Sequence, residues 1–497
     1  MSEVRSSTSL GAEIDESALN PHRWLVLVVI GVAQLMLVLD VTIMNIALPS
    51  AQKDLQFSND SRQWIITAYA LAFGSLLLVG GRFADLFGRK TTFLVGLIGF
   101  AAASAVGGAA VNFGMLAGAR ALQGLFGALL APAALSLLTT TFADPKERGK
   151  AFGIFGAIVG SGAAVGLLLG GALTEYLDWR WCMFVNLAFA AAALIGGIIY
   201  LVPGLHAERP DIDVPGTITA TGGLFCIVYG LSRAEIYRWG TPSAWGFITA
   251  GVVLLIIFVF IETKVRHPLL PMRVVLDRDR GGSYVAMFLT GAGVFGLFLF
   301  LTYYLQRTLG FSPVKTGFAF LPMVIALMIS AQLATIVLLP RIGPKVPVVL
   351  GLVSGAIGLI WLTTIKIDSS YASHVMPQVI LVGIGMGLVF APAMNVATAG
   401  VHITDAGVAS AMVNTMQQVG GSIGTALLST VATSAGKDYV KGKLPTPDLF
   451  ANAAIHSYTA AFWWSAGIFF AGAIVCAFLL RNGTHAAATG EASAAAL

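Results

Sequence analysis

Residues 24–48 read WLVLVVIGVAQLMLVLDVTIMNIAL, an apolar run with a single carboxylate, Asp40, inside it. About 20 helical residues at roughly 1.5 Å each cross the hydrocarbon core of a bilayer, so the run predicts a membrane-spanning helix. An acid at that depth costs about 2.5–3.5 kcal/mol on insertion scales, and its default interpretation is a proton or ion site that faces protein or water. The alternative is an acid that only packs helices together, satisfied by a neighbouring hydroxyl or amide.

The composition extends this interpretation to the whole chain. Of its 497 residues, 57% are hydrophobic and 11% are charged, and the mean hydropathy is +0.84, whereas soluble domains contain about 25% charged residues. The chain is therefore predicted to be an integral membrane protein. Its net charge of +5 is spread over connecting segments without a basic tract, which predicts contact with membrane lipids and no nucleic-acid partner.

Apolar runs of spanning length recur about fourteen times, separated by turn residues, which predicts an all-α polytopic membrane protein with about fourteen transmembrane helices. Lys and Arg are enriched in alternate connecting segments, which predicts that both termini are cytoplasmic. The predicted organisation is a disordered tail at 1–22, a six-helix bundle at 23–205, two inserted helices at 206–265, a cytoplasmic linker at 266–281, a second six-helix bundle at 282–480 and a disordered tail at 481–497. Two six-helix halves are typical of transporters with a site between the halves.

Arg120 is a second ionisable residue inside a predicted span. It lies about 9 Å from the predicted outer end of the fourth span, and Asp40 lies about 12 Å from the outer end of the first, at about 1.5 Å per residue. The similar depths allow the two side chains to pair, directly or through water. The alternative is that Arg120 extends outward to the interface while Asp40 is satisfied separately.

Residues 81–90, GRFADLFGRK, resemble the signature loop of the major facilitator superfamily, Gly-x-x-x-Asp-x-x-Gly-Arg-Lys/Arg. Gly81, Asp85, Gly88, Arg89 and Lys90 occupy the signature positions. Gly81 permits close helix approach, Gly88 permits a tight turn, and Asp85 can pair with basic residues or cap a helix. The resemblance implies the fold of that superfamily and a gating role for this loop.

Four further stretches resemble the fourteen-span drug:proton antiporter family within that superfamily. They are residues 39–49, 120–124, 304–322 and 414–424. The resemblance implies a proton-coupled antiporter in the inner, or plasma, membrane of a bacterial cell. It implies export of small amphiphilic drugs or toxic metabolites by alternating access through a central cavity, with Asp40 and Arg120 in proton coupling.

The fifth span departs from that family's pattern at one position. The antiporter motif there usually ends Gly-Pro-x-x-Gly-Gly, but Leu167 stands where proline is expected. The glycines remain at spacings that favour close helix packing. They are Gly156, Gly160, Gly162, Gly166, Gly170 and Gly171.

The predicted cavity has few chemical markers. No convincing Asp or Glu lies at mid-membrane depth in spans nine to fourteen, so the expected substrate is neutral or singly charged. The candidates for cavity lining are polar residues inside spans, namely Gln34, Asn45, Tyr69, Gln123, Asn395, Asn414, Gln417 and Gln418. For each of them an interhelical hydrogen bond, worth about 0.6 kcal/mol, is the alternative role.

The sequence contains no enzyme signature in the structural context that such a signature requires. Residues 420–424, GGSIG, fit the hydrolase pattern GxSxG by letters, but they lie inside an apolar span without a strand–turn–helix. The chain has neither HExxH nor a Walker-type phosphate loop. The sequence therefore predicts that the protein is not an enzyme, that it binds no metal and no cofactor, and that a proton gradient is its energy source.

The expected partners are a small amphiphilic substrate, protons and membrane lipids, and the expected state is a monomer. Two alternatives stay open at this point. One is an exporter or flippase of a lipid-like amphiphile or of a specific endogenous metabolite. The other, from a different class, is a non-transporting membrane sensor, which would need an output domain that the two short tails cannot form.

Overall fold

The computed structural model describes residues 21–58, 61–142, 145–202, 213–237, 241–265, 268, 270, 272–398, 406–444 and 446–481, which form helices and turns without a strand. The long helices are α1 Arg23–Leu55, α2 Gln63–Phe87, α3 Arg89–Gly108, α4 Phe113–Thr141, α5 Pro145–Tyr176, α6 Trp181–Tyr200, α7 Val214–Tyr237, α8 Pro242–Glu262, α9 Arg278–Tyr303, α10 Pro313–Leu333, α11 Lys345–Leu362, α12 Met376–Thr398, α13 Ala406–Val440 and α14 Pro447–Leu479. Short helices span Met272–Val275, Leu339–Ile342 and Tyr371–His374, and π-helical turns span Tyr304–Thr308 and Ala334–Leu338. The predicted disordered tails fall almost wholly outside the described residues.

Several helices begin where the sequence supplies a capping side chain. Asn112 Oδ1 accepts a hydrogen bond from the Met115 amide at 2.8 Å, and Ser312 and Thr446 cap α10 and α14 in the same way. Proline follows at the first turn of α10 and α14, where its missing N–H has no partner to lose. These capping residues therefore fix where the apolar helices begin.

Ten helices of the described part of the chain are long and apolar enough to cross a membrane, judged by length and composition. Shorter apolar segments lie within α2, α5 and α7. The all-α membrane fold predicted from the sequence is confirmed in this respect, while the count of fourteen spans stays a prediction.

The helices pack in a pattern that occurs twice. In the N-terminal block, α1–α6, helix α1 packs on α5 and α6, and α4 packs on α2 and α3. In the C-terminal block, α9–α14, helix α9 packs on α13 and α14, and α12 packs on α10 and α11. Gly88 in the turn after α2 has a positive φ of 87°, and Gly343 in the turn after the short helix Leu339–Ile342 has one of 72°. Glycine adopts this conformation without steric cost.

The two blocks meet mainly through α2 with α13 and α5 with α10. The inserted helix α7 packs on α8 and lies against both α2 and α13. On α7, Thr221 Oγ1 donates to the backbone oxygen of Ser75 on α2 at 3.1 Å. The inserted helix α7 therefore covers one seam between the blocks.

Buried apolar residues form a cluster that joins the two blocks. On the N-terminal side it contains residues such as Leu48 and Ile65, near the connection between α1 and α2. On the C-terminal side it includes Leu305 and Leu359. The end of the bundle that holds the α1–α2 connection, which is the predicted outer end, is called the α1–α2 end below. A second cluster lies wholly within the N-terminal block.

Candidate functional site

Asp40 and Arg120 form an ion pair in the interior of the N-terminal block. Asp40 lies on α1 with 0% of its surface exposed, and Arg120 lies on α4 with 1% exposed. Arg120 Nη1 donates to Asp40 Oδ2 at 2.5 Å. The similar depths that the sequence gives these two residues correspond to direct contact.

Two amide side chains hold the other carboxylate oxygen. Gln123 Nε2 on α4 and Asn186 Nδ2 on α6 each donate to Asp40 Oδ1 at 2.8 Å. Both amides also donate to Ser104 Oγ on α3, at 2.7 Å from Gln123 and 3.4 Å from Asn186. These four side chains and Arg120 are all buried. The five residues, Asp40, Ser104, Arg120, Gln123 and Asn186, are called the Asp40 network below.

Arg120 has further partners that fix its position. Its Nη1 donates to Gln123 Oε1 at 2.8 Å, and its Nε donates to the backbone oxygen of Ile65 on α2 at 3.2 Å. The guanidinium carbon lies 4.4 Å from the centre of the Tyr69 ring, an arrangement in which the ring attracts a cation. Arg120 thus connects α4 both to Asp40 and to α2.

In the Asp40 network, the free-energy cost of burying two charges is balanced by their mutual attraction and their hydrogen bonds. Removing a carboxylate and a guanidinium from water is unfavourable, and close pairing with additional hydrogen bonds compensates for that cost. Asp40 accepts hydrogen bonds from three donors, the side chains of Arg120, Gln123 and Asn186. Withdrawal of Arg120 would leave a buried carboxylate without its cationic partner.

The loop between α2 and α3 is held within the N-terminal block. Gly88 makes the turn with φ of 87°, and Lys90 Nζ donates to the backbone oxygens of Ile198 and Leu201 at the end of α6. A Cβ at Gly81 would lie 3.8 Å from Pro132 of α4, which is ordinary contact. Arg89 is the first residue of α3. The side chain of Asp85 lies outside the described residues, so its gating role stays a prediction.

The arrangement of two six-helix blocks has counterparts among known proteins. The sequence profile of the Major Facilitator Superfamily matches residues 30–425. The chain belongs to that superfamily. The superfamily resemblance drawn from residues 81–90 is thereby confirmed. The fourteen-span antiporter subfamily, drawn from the four further stretches, stays a prediction.

Relatives and a solved structure agree with this membership. The puromycin resistance protein pur8 of Streptomyces alboniger is 49% identical over 477 residues, covering 95% of each chain. The cephamycin export protein CmcT of Amycolatopsis lactamdurans is 36% identical over 419 residues, covering 82% of this chain and 85% of the relative. An auto-inhibited peptide transporter of the POT family superposes with a TM-score of 0.68 at 15% identity, covering 93% of this chain and 98% of the other, which shows the fold alone.

The sequence-predicted cavity residues of this Major Facilitator protein separate into different environments. Tyr69 and Gln123 are buried at and beside the Asp40 network; the structure therefore places them against Asp40 and Arg120 and not against open space. Asn45 is also buried. Asn395 is exposed, and its Nδ2 donates to the Ala391 backbone oxygen. Gln34, Asn414, Gln417 and Gln418 are half-buried, as a lining role would require.

The glycines of α5 serve two neighbours. A Cβ added at Gly162, Gly166 or Gly170 would meet α1, for example Thr42 Oγ1 at 1.9 Å from Gly166. A Cβ at Gly171 would meet α10 of the other block, at 2.7 Å from Val314 Cα. Gly156 and Gly160 lie within α5, and their surroundings fall outside the described part. The close approach of α5 to α1 and to α10 therefore depends on glycine, even though Leu167 replaces the motif proline.

Four polar and aromatic residues connect the blocks at the α1–α2 end. Tyr303 Oη on α9 donates to Gln52 Oε1 on α1 at 2.7 Å, and Arg307 Nη2 donates to the same oxygen at 2.9 Å. The guanidinium carbon of Arg62, before α2, lies 4.1 Å from the Tyr303 ring centre, and that of Arg307 lies 4.8 Å from it. This set, Gln52, Arg62, Tyr303 and Arg307, is called the latch below.

The π-helical turn after α9 adds to the latch. Gln306 lies in that turn, and its Nε2 donates to the Ile46 backbone oxygen on α1 at 3.1 Å. The Val314 amide, at the start of α10, donates to Glu175 Oε2 on α5 at 2.9 Å. π-Helical turns are frequent at functional positions. The stretch 304–322 thus closes the α1–α2 end against the N-terminal block.

Sequence reasoning missed Ser104 and Asn186. Serine is common in membrane helices and carries no signal by itself. Asn186, however, lies about 7.5 Å from the predicted outer end of the sixth span, a depth similar to that of Arg120, at about 1.5 Å per residue. The comparison of depths that paired Arg120 with Asp40 would have found Asn186 if it had been applied to amides.

Proposed function

We propose that this protein exports small amphiphilic compounds of the antibiotic class from a bacterial cell in exchange for protons. The buried pair of Asp40 and Arg120 is the observation that carries the proposal, because an ionisable pair at membrane depth is typical of proton pathways. The names of the relatives, which refer to puromycin resistance and cephamycin export, support the substrate class. The two repeated blocks support alternating access.

The proposed cycle uses the latch and the Asp40 network as its two switches. The structure has the latch closed, with the blocks in contact at the predicted outer end. Opening of the latch would expose the Asp40 side to the outer proton supply, and binding of a proton would weaken its attraction to Arg120. Each proton that enters provides about 2.3 kcal/mol per 100 mV and about 1.4 kcal/mol per pH unit.

The proposal includes the placement of the chain. Both termini lie in the cytoplasm, the chain works as a monomer among membrane lipids, and the proton gradient is the only energy source it needs. The half-buried amides Gln34, Asn414, Gln417 and Gln418 contribute to the substrate cavity. Neutral polar groups beside apolar surface suit a neutral or singly charged amphiphile.

The test is uptake of puromycin into inverted proteoliposomes under an imposed pH gradient, with a cationic dye and a labelled phospholipid as parallel probes. Gradient-dependent puromycin uptake is expected for the native protein, and Asp40→Asn should reduce it to the level of protein-free vesicles. Asp54→Asn is the matched control, because it makes the same change on the same helix at a half-exposed acid that contacts Trp179 and Arg180. Movement of phospholipid alone would overturn the proposal of drug export in favour of lipid transport. Puromycin uptake that does not depend on the gradient would overturn the proposal of proton exchange.

A further inference from the structure

The two amides that hold Asp40 differ in how their carbonyl ends are used. Gln123 Oε1 accepts a hydrogen bond from Arg120 at 2.8 Å, so both ends of that amide have partners. Asn186 Oδ1 is buried and has no hydrogen-bond partner in the described part of the protein, although Nδ2 of the same amide donates to Asp40. A buried carbonyl without a partner is uncommon and needs an explanation.

We propose that Asn186 is a positioning residue that sets the proton affinity of Asp40, an inference that rests on the proposed function. Asn186 Nδ2 donates to the ionised carboxylate, and such a charge-assisted bond is about twice as strong as a bond between neutral groups. When Asp40 binds a proton, its new hydroxyl needs an acceptor. Rotation of the Asn186 amide presents its unpartnered Oδ1 to that hydroxyl.

Gln123 cannot serve the neutral acid in the same way. Turning its amide would break the bond between Arg120 and Gln123 Oε1. The Ser104 hydroxyl, which accepts from both amides, can rotate to donate to either carbonyl. Asn186 therefore has a partner in both protonation states, and its net effect favours the ionised form because that bond is the stronger one.

Few other charged or titratable groups face Asp40 within the described residues. Arg120 faces it from α4, Tyr69 lies beneath Arg120 on α2, and Cys182 lies one turn before Asn186 on α6. Cys182 contacts Thr174 Oγ1 at 3.3 Å and the Gly170 backbone oxygen at 3.7 Å, both on α5. The contribution from α3 is the Ser104 hydroxyl. Asn186 can thus be changed while every charged neighbour stays in place.

The experiment is a pH titration of the infrared carboxylic C=O band that disappears in Asp40→Asn, recorded on the full-length protein in lipid. Asn186→Leu removes the donor at similar volume, so the ionised form loses stability and the midpoint should rise by about 1 to 2 pH units. Asn186→Ser keeps a hydroxyl that can donate and accept, and its midpoint should lie between those of the native protein and Asn186→Leu. Met183→Leu, a buried change on the same helix, should leave the midpoint unmoved.

The outcomes separate this inference from the function on which it rests. A native protein without an Asp40 band would overturn the proposed function, and this inference with it. A native band with a midpoint that Asn186→Leu does not move would overturn the inference alone. An equal shift in Met183→Leu would also overturn it, because the effect would then come from the packing of α6. If Asn186→Leu folds poorly, Asn186→Ser decides alone, with its folding verified by gel filtration: a midpoint above the native value supports the inference, and an unmoved midpoint overturns it.

Discussion

The N-terminal block and the C-terminal block use the same helix pairings but bury different chemistry. In the first, α1 and α4 enclose the ion pair of Asp40 and Arg120. In the second, the corresponding α9 and α12 bury Leu297 and Met386. Among the described residues of the C-terminal block, Asp279 is the one buried charged side chain, and it lies at the first turn of α9, where its Oδ1 accepts from the Arg481 amide at 2.8 Å.

The difference shows that the buried ion pair is a local property of a few side chains and not of the repeated scaffold. Helix packing by glycine occurs in both blocks, as between Gly124 and Tyr69 in one and between Gly383 and Met323 in the other. The repeated helix packing therefore accommodates either a charged or an apolar set of buried side chains. We expect substitutions of the buried charged residues to alter both stability and transport, and substitutions of the buried apolar residues to alter stability alone.

The largest expected effect comes from Arg120→Ala. The change leaves Asp40 buried and without its cation, so we expect a loss of about 3–5 kcal/mol of stability together with all transport. Asp40→Asn/Arg120→Gln should restore much of the stability, because no charge stays unpaired, but not the transport. Thermal unfolding in detergent and proteoliposome uptake measure the two losses separately.

The control for this prediction is Arg23→Ala in the same block. Arg23 pairs with Glu147 at 2.7 Å, but the two side chains are 24% and 27% exposed, so the expected loss is only about 0–1 kcal/mol. Equal losses for the two arginines would contradict the special position of the buried pair.

A smaller effect should distinguish buried amides of the two blocks. Gln123→Leu removes a donor to ionised Asp40, and we expect a loss of about 1.5–3 kcal/mol and impaired proton-coupled uptake. Gln378 on α12 is fully buried, and neither end of its amide has a hydrogen-bond partner among the described residues. Gln378→Leu should therefore leave stability unchanged or raise it. Loss of uptake in Gln378→Leu would contradict this prediction, because it would show that a buried polar side chain of the C-terminal block is also needed for transport.

The sequence predicted the membrane class, the repeated halves and the pair of Asp40 with Arg120, because each depends on a strong local signal. A charged residue in an apolar run is rare, and its depth follows from helix rise. The glycine of the α2–α3 turn was also predictable, since a match at every signature position leaves little ambiguity, and Gly88 does adopt positive φ.

Asn186 and the latch were not predicted, because each depends on which helices become neighbours. Asn186 contacts Asp40 across 146 positions of sequence, and Tyr303 contacts Gln52 across 251. A polar residue in a span indicates a partner but does not name it. Tyr69 and Gln123 show the same limitation, since a polar side chain that faces a cavity and one that faces a buried acid have the same sequence signature.

The contact between the blocks offers a third prediction. A Cβ at Gly317 of α10 would lie 2.5 Å from the Leu167 backbone oxygen of α5, and a backbone atom cannot yield as a flexible side chain does. Gly317→Ala should therefore cost the closed state about 1–3 kcal/mol through overpacking and open the α1–α2 end. Spin labels on the α1–α2 and α9–α10 connections would report a longer distance between the blocks.

Gly467→Ala on α14 is the matched change for Gly317→Ala, because no atom lies within 4 Å of its added Cβ. It should leave the distance between the labels unchanged. A similar lengthening in both variants would show that the distance responds to general loosening of the C-terminal block and not to the contact between α5 and α10.

The smallest expected effect comes from the latch. Tyr303→Phe keeps the ring beneath Arg62 and Arg307 but removes the hydrogen bond to Gln52, so the closed state should lose about 0.5–1.5 kcal/mol. Tyr304→Phe is the same change one residue later, where the lost bond runs to the Lys366 backbone oxygen within the C-terminal block. Both variants should lower the unfolding temperature slightly, but only Tyr303→Phe should lengthen the distance between the labelled blocks. If Tyr304→Phe lengthened it equally, the π-helical turn as a whole, and not the bond across the blocks, would hold the α1–α2 end closed.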